Sequence, residues 1–216
     1  GTDQSPCLLV RSGLEQFPSD ALEEIQSERI LSDEEHLDLP PCSVELLLYG
    51  DSRLFVVLPT GVKTKLPFAA NAPFVQDTAR LKVKDPDSSP TNRWLLERIG
   101  KLAAEAMLSW LGTPDVSAEF LAQAYDLMPN VDRQDSSLEG SCAATVEIAF
   151  GTSLETKKFV LTDANRLVPG GECLEVPTAL MDVWSPAELS RILSSEKRAM
   201  ASRHLSGSNL EKLCDW

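Results

Sequence analysis

Residues 55–80 read FVVLPTGVKTKLPFAANAPFVQDTAR, and residues 89–111 read SPTNRWLLERIGKLAAEAMLSWL. The first stretch opens as an apolar strand, breaks at Pro59-Thr60-Gly61, resumes as a second short apolar run and closes on Arg80 among lysines. The second has the punctuation of a helix. Ser89 can cap it, Pro90 suits its first position, and Gly112 with Pro114 ends it. Leu95, Ile99, Leu102, Ala106 and Trp110 fall on one stripe, with Leu96, Ala103 and Met107 beside it. That stripe is core-facing packing, so Trp110 and Met107 belong to the core and not to a cofactor site. Strand, loop, arginine and long helix together predict an α/β fold with a mixed sheet.

Toward the N-terminus, residues 7–10 read as a short strand. Residues 19–30, SDALEEIQSERI, read as an acidic helix with Ser19 available as its cap, followed by an acidic connector over 31–41. Two apolar runs, 43–49 and 53–58, are separated by Gly50-Asp51-Ser52, a pattern that signals a hairpin. Toward the C-terminus, helices are expected over 117–128, stopped by Pro129, and over 137–150, stopped by Gly151. Ser136 and Glu139 offer a capping box for the second of these. KKFVLTDANRLVPGGECLEVP then reads as strand, Asp/Asn turn and strand, and a further helix starts near Ser185-Pro186. With a soft boundary near 129–136, the expected domains are 1–130, α/β with a mixed sheet and packed helices, and 131–216, mainly helical with a short β-hairpin.

Charge is unevenly placed. The chain carries a net −13, but residues 52–110 carry a net +4 between segments of −10 and −7. An acidic protein is a poor general binder of nucleic acid, which demands net neutralisation of phosphate. The local basic island, with Lys63, Lys65, Arg80, Lys82 and Lys84, still suits one bound polyphosphate. No run of 18 apolar residues predicts a membrane span. The N-terminus lacks the basic region of a signal peptide and reads as a boundary within a longer protein. Five scattered cysteines without a CxxC pair argue against a disulfide framework or zinc site, and for a reducing, cytoplasmic setting.

Arg80 is the leading candidate for chemistry. A positioned arginine forms charge-assisted, often bidentate, bonds to phosphate and stabilises charge that develops during phosphoryl transfer. It also reads as a surface arginine paired with Asp77 or Asp85. Asn71 and Gln76 flank the loop, and either amide could orient a water or a phosphate oxygen; turn chemistry is the plainer reading of Asn71. Lys63 and Lys65 alternate and so project to one face of an extended segment, as phosphate ligands or as solvated lysines. Hydrolytic motifs are absent: there is no GxSxG, HExxH, Walker A or GxGxxG pattern. Glu155 and Lys157 form an E-x-K pair of the kind found in metal-dependent nucleases, but without a recognisable upstream acidic partner. No residue set is assigned to a metal.

The segment LFVVLPTGVKTKLPFAANAPFVQDTAR, followed by TNRWLLERIGKLAAEAMLSWL, resembles the sacsin-like branch of the GHKL ATPases. The likeness lies in the part that follows the nucleotide-binding domain: a strand, LP, a short loop, a PF–N–PF turn, then an arginine and a long helix. It covers residues 44–111, and 163–177 are similar to strand-turn-strand segments further along such proteins. The DTAR portion is similar to the asparagine-x-serine-arginine turn of the ninety-kilodalton heat-shock chaperones, whose middle-domain arginine reaches the γ-phosphate of ATP held by the preceding domain. The resemblance implies that Arg80 is that arginine. It does not carry the chaperones' assisting glutamine to Gln76, which precedes Arg80 where theirs follows. The GHKL boxes that bind magnesium and adenine are missing from this sequence. The resemblance therefore implies a transducer-like segment that binds no cofactor alone. ATP and magnesium are expected in the full-length protein, on an upstream GHKL nucleotide-binding domain of the same polypeptide. Protein clients are the other expected partners. The alternative, drawn from the acidic surface and helix-rich second half, is a non-catalytic interaction or scaffold module.

Overall fold

The central strand here is the one whose successive side chains are buried on both faces. The computed structural model describes residues 8–28, 39–48, 51–132, 134–174, 176–193, 199–205 and 213. The fold is mixed α/β, as expected. It divides into two compact units, Gly1–Ala103 with Pro129–Phe150, and Ala104–Met128 with Gly151–Trp216.

The first unit is built on β1 (Leu8–Arg11), α1 (Ser19–Glu28), β2 (Glu45–Leu48), β3 (Arg53–Val56), β4 (Leu58–Lys63) and β5 (Phe68–Asn71). The strands form one sheet in the order β1-β2-β5-β3-β4, antiparallel except where β3 runs parallel to β5. Phe68, Ala69 and Ala70 of β5 are all buried, which is why β5 takes the centre. The helix α2 (Pro90–Leu111) starts at the expected cap: Ser89 Oγ accepts from Asn92 N at 3.2 Å. Leu95, Leu96 and Ile99 are buried, as the stripe requires. The helix α4 (Leu138–Leu154) packs on α2 so closely that a Cβ at Gly100 would fall on the Val146 carbonyl oxygen and lie 2.8 Å from Ala149 Cβ.

The second unit contains α3 (Ala118–Ala122), capped by Ser117, which continues as a 3-10 turn over Gln123–Leu127. Fully buried Tyr125 donates its hydroxyl hydrogen to the Phe159 carbonyl at 2.6 Å and accepts from Leu161 N at 2.7 Å. Both bonds tie the turn to β6 (Val160–Leu161), which forms the expected hairpin with β7 (Leu167–Val168). Asn165 supplies the left-handed residue of that turn, φ 53°. Then come β8 (Cys173–Leu174), α5 (Thr178–Met181), α6 (Pro186–Leu193) and β9 (Ala199–Met200), with β8 and β9 parallel. Ser185 and Glu188 form a capping box on α6. Among the described residues no helix is long and apolar enough to cross a membrane.

Four local expectations change. The Gly50-Asp51 signal does not pair β2 with β3, because β5 lies between them; a turn signal sets the reversal but not the neighbour. Pro59-Thr60-Gly61 does not end the strand: the chain reverses at Val57, and those three residues lie inside β4, an edge strand where proline costs no ladder bond. The α4 helix runs through Gly151 to Leu154, whose buried side chain rewards the extra turn. Its cap is Ser137, which accepts from Gly140 N at 3.1 Å, not Ser136. Cys7, the helix end and connector over 29–38 with His36, the Tyr49-Gly50 part of the hairpin signal, and Cys214 lie outside the described residues.

Candidate functional site

Arg80 sits at the tip of a narrow antiparallel turn in the first unit. Its legs meet at a Gln76–Val83 bridge, with Asp77 N donating to Lys82 O and Lys84 N to Val75 O, each at 2.9 Å. The tip is tight enough to put Arg80 in the left-handed region, φ 56°. A non-glycine residue there costs of order 1–3 kcal/mol and persists only where its surroundings dictate it. Here the dictating groups are visible. Asp77 Oδ1 accepts from Leu81 N at 2.9 Å and Lys82 N at 3.2 Å, Gln76 Nε2 donates to Arg80 O at 3.2 Å, and Gly61 N donates to Leu81 O at 2.7 Å.

The Asp77 carboxylate is thus engaged by backbone amides and not by the neighbouring guanidinium. Among the described residues the exposed Arg80 side chain has no ion-pair or hydrogen-bond partner, so the expected pairing with Asp77 or Asp85 does not form. The base of the turn is held by two helices. Asn92, on the first turn of α2 and fully buried, accepts from Val75 N at 2.8 Å and donates to Val75 O at 2.8 Å and Lys84 O at 2.9 Å. Lys84 is ion-paired to Glu28 at the end of α1.

Arg80, Gln76 and Lys84 border a cavity of about 790 Å³ whose apolar wall includes Phe17, Ile25 and Phe74. Cys42 also borders it. Burial pushes the Cys42 thiol up, more than the adjoining Arg98 guanidinium lowers it, so it is not an activated nucleophile. Arg98, nearly fully buried, donates to the carbonyls of Gly13 (2.8 Å) and Cys42 (3.0 Å), to Ser12 Oγ (3.0 Å) and to Glu15 Oε1 (3.1 Å), and lies 4.8 Å from the Trp94 ring centroid. It fastens α2 to the strand-flanking segments behind the cavity.

The other sequence candidates are placed elsewhere. Asn71 ends β5, where its Oδ1 accepts from Val57 N at 3.1 Å and its Nδ2 donates to Glu45 Oε2 at 2.9 Å; both ends of the amide are used inside the fold. Lys63 and Lys65 are exposed on either side of buried Thr64, as alternation predicts. They face different acids: Lys63 Nζ lies 3.7 Å from Asp51, and the Asp135 carboxyl, lowered first by its bonds to Ser137, is lowered slightly further by the charge of Lys65. Of the five residues, then, the structure brings together only Gln76 and Arg80. Glu155 and Lys157 lie in the exposed turn after α4, not on a strand. Among the described residues no group of three or more His, Cys, Asp or Glu could hold a metal ion.

Asn92 and Arg98 escaped the sequence reading. The available signal was position: both are polar residues at helical spacing with Leu95, Ile99 and Leu102, where an apolar side chain would be expected. No family model matches the chain, and neither a curated protein nor a solved structure matches it.

Proposed function

We propose that the chain is the coupling segment of a large, sacsin-like, chaperone-like ATPase of the cytoplasm, in which Arg80 is delivered to the γ-phosphate of ATP. The observation that carries this reading is the presentation of one arginine. In a protein of net charge −13, the Arg80 guanidinium stands exposed at the tip of a strained turn, without a partner among the described residues, while the Asp77 carboxylate and the Gln76 amide beside it are engaged by the turn's backbone. Strain maintained at an exposed tip favours a functional over a packing role. The resemblance of residues 44–111 to the segment that follows GHKL nucleotide-binding domains supplies the chemistry. The upstream domain would hold ATP and magnesium. Arg80 would then place its planar fork against the γ-phosphoryl oxygens and stabilise the charge that grows on them as the bond to the β-phosphate breaks.

The test is turnover of the full-length protein. Arg80→Ala should lower kcat by about 10³-fold or more, the scale of an arginine acting on a transferring phosphoryl group. Arg80→Lys should restore only part of it, because a point charge lacks the bidentate fork. Unchanged turnover in Arg80→Ala would remove the role.

A second reading, an interaction module, has its own support in the second unit. Leu180 on α5, Val183 and Trp184 in the turn that follows it, and Ile192 on α6 expose apolar surface. Loss of client binding in Trp184→Ser, with turnover indifferent to Arg80→Ala, would favour that reading.

A further inference from the structure

We infer that Asn92 is a positioning residue for Arg80, locking the Arg80 turn to the first turn of α2 so that the two move as one body. The inference rests on the reading of Arg80 as the phosphate-binding arginine. Its own ground is the geometry of a single amide that grips both legs of one turn. Asn92 Oδ1 takes the amide hydrogen of Val75, and its Nδ2 gives one hydrogen to Val75 O and one to Lys84 O. An amide side chain has an acceptor oxygen and two donor hydrogens. All three functions are committed here, and all go to the turn. None serves the helix that carries the residue.

At this level the legs are otherwise joined by the Lys84 N bond to Val75 O and tied to α1 by the Lys84–Glu28 ion pair. Between the Asn92 clamp and the tip, the turn's own ladder consists of the Gln76–Val83 bridge and the Asp77-to-Lys82 bond. Without the clamp, the tip keeps its own bonds from Asp77, Gln76 and Gly61, but the legs beneath it lose the amide that ties them to α2. Asn92 is in turn fixed by its backbone, since its N–H donates to Ser89 Oγ, and Ser89 Oγ donates to Glu24 Oε2 at 3.0 Å. Thr91 N also donates to Glu24 Oε2, at 3.0 Å. A displacement of the guanidinium would therefore be passed to α2 through a rigid hydrogen-bonded knot at the helix start. A buried network of this kind, fully satisfied, is stiff. No side chain of Asn92 touches the cavity or a reacting group, so its effect on turnover runs through Arg80.

The experiment compares Asn92→Asp with the parent in the full-length protein. Aspartate keeps the acceptor for Val75 N and loses the two donors. Hydrogen exchange across residues 75–84 should accelerate by roughly tenfold or more, the net worth of the two lost hydrogen bonds, while the middle of α2 exchanges as before. Turnover should fall on the order of 10²-fold in kcat with KM unchanged, as for a misplaced but present catalytic group. Asn92→Asp added to Arg80→Ala should cost nothing further. Unaltered exchange over 75–84, or a loss that adds in full to that of Arg80→Ala, would overturn the positioning role. If Arg80→Ala itself leaves turnover intact, the phosphate reading fails, and the exchange comparison alone still decides whether Asn92 holds the turn. Asn92→Ser makes the same comparison without a buried charge; loss of the fold in both variants would mark Asn92 as a residue of the fold and end the proposal.

Discussion

Two tight reversals in the first unit are made by the same device and carry different cargo. At Val57, between β3 and β4, and at Arg80, between the legs of the 75–84 turn, a non-glycine residue adopts the left-handed region, with φ 64° and 56°. Each is steadied by a side-chain amide, Asn71 at the Val57 N–H and Gln76 at the Arg80 carbonyl. A β-branched residue in this region is a stronger outlier than an arginine, and Val57 is 88% exposed, so neither packing nor propensity explains its conformation. The Val57 tip is an aliphatic knob anchored through Asn71 to Glu45. The Arg80 tip is a cation anchored through Asn92 to a helix. Strain alone thus does not identify a phosphate-binding turn; the side chain it presents, and what the anchor connects to, separate the two.

The sharpest way to break this comparison is to make both tips glycine. In the full-length protein Arg80→Gly should lower ATP turnover about 10³-fold or more, whereas Val57→Gly should leave it within twofold or so of the parent. Equal loss in both would mean that turn shape, not the guanidinium, is what matters. Next in size is the anchor of the Val57 reversal. Asn71→Ala removes one donor and one acceptor and should destabilise the fold by about 1–3 kcal/mol, read from the urea midpoint. It should leave turnover alone if Asn71 is a fold residue; a fall in kcat at unchanged stability would return it to the phosphate site. Smaller still, both glycine variants should be stabilised, by about 1 kcal/mol, because the left-handed backbone costs glycine nothing. A destabilised Arg80→Gly would show that the arginine side chain contributes packing to its own turn.

The smallest effect is a pH dependence. The hydrogen bond from Asn71 holds the Glu45 carboxyl below its ordinary range, with partial burial opposing and the Arg11 guanidinium assisting. A carboxylate depressed by folding contributes its stability in full above the unfolded value, about 4.3, and loses it as the pH falls through the lower folded value. Asn71→Ala should therefore flatten the acid limb of the stability curve below that point. An unchanged acid limb would mean that Arg11 alone sets the titration.

Much of the fold was legible because its signals are local. The α2 helix carries its cap at Ser89, proline at Pro90 and an apolar stripe, and all three appear in the structure. The Asp/Asn turn between β6 and β7 is likewise local. Strand neighbours are not. Nothing within residues 43–58 says that β5, at Phe68–Asn71, will enter between β2 and β3; the buried small residues Ala69 and Ala70 decide it. The site was legible in type but not in wiring. Arg80 stood out as a cation in an acidic chain, but Asn71 could not be distinguished from a ligand until the Val57 amide was seen to need it. Asn92 lies in the helix with the fullest set of local signals and was hidden by that helix, because its side chain serves the preceding loop.

The engagement of Asp77 with backbone amides has one further consequence, in the range over which the Arg80 tip acts. Because its carboxylate bonds to Leu81 N and Lys82 N and not to Arg80, the tip presents a whole positive charge on a protein of net −13. A polyanion near the turn is attracted to the tip within about 8 Å, the screening length at physiological ionic strength, and the repulsion from the acidic remainder of the chain is screened over the same length. The Arg80 tip thus acts at short range, on a phosphate already brought close to it, more than as a long-range attractor of anions.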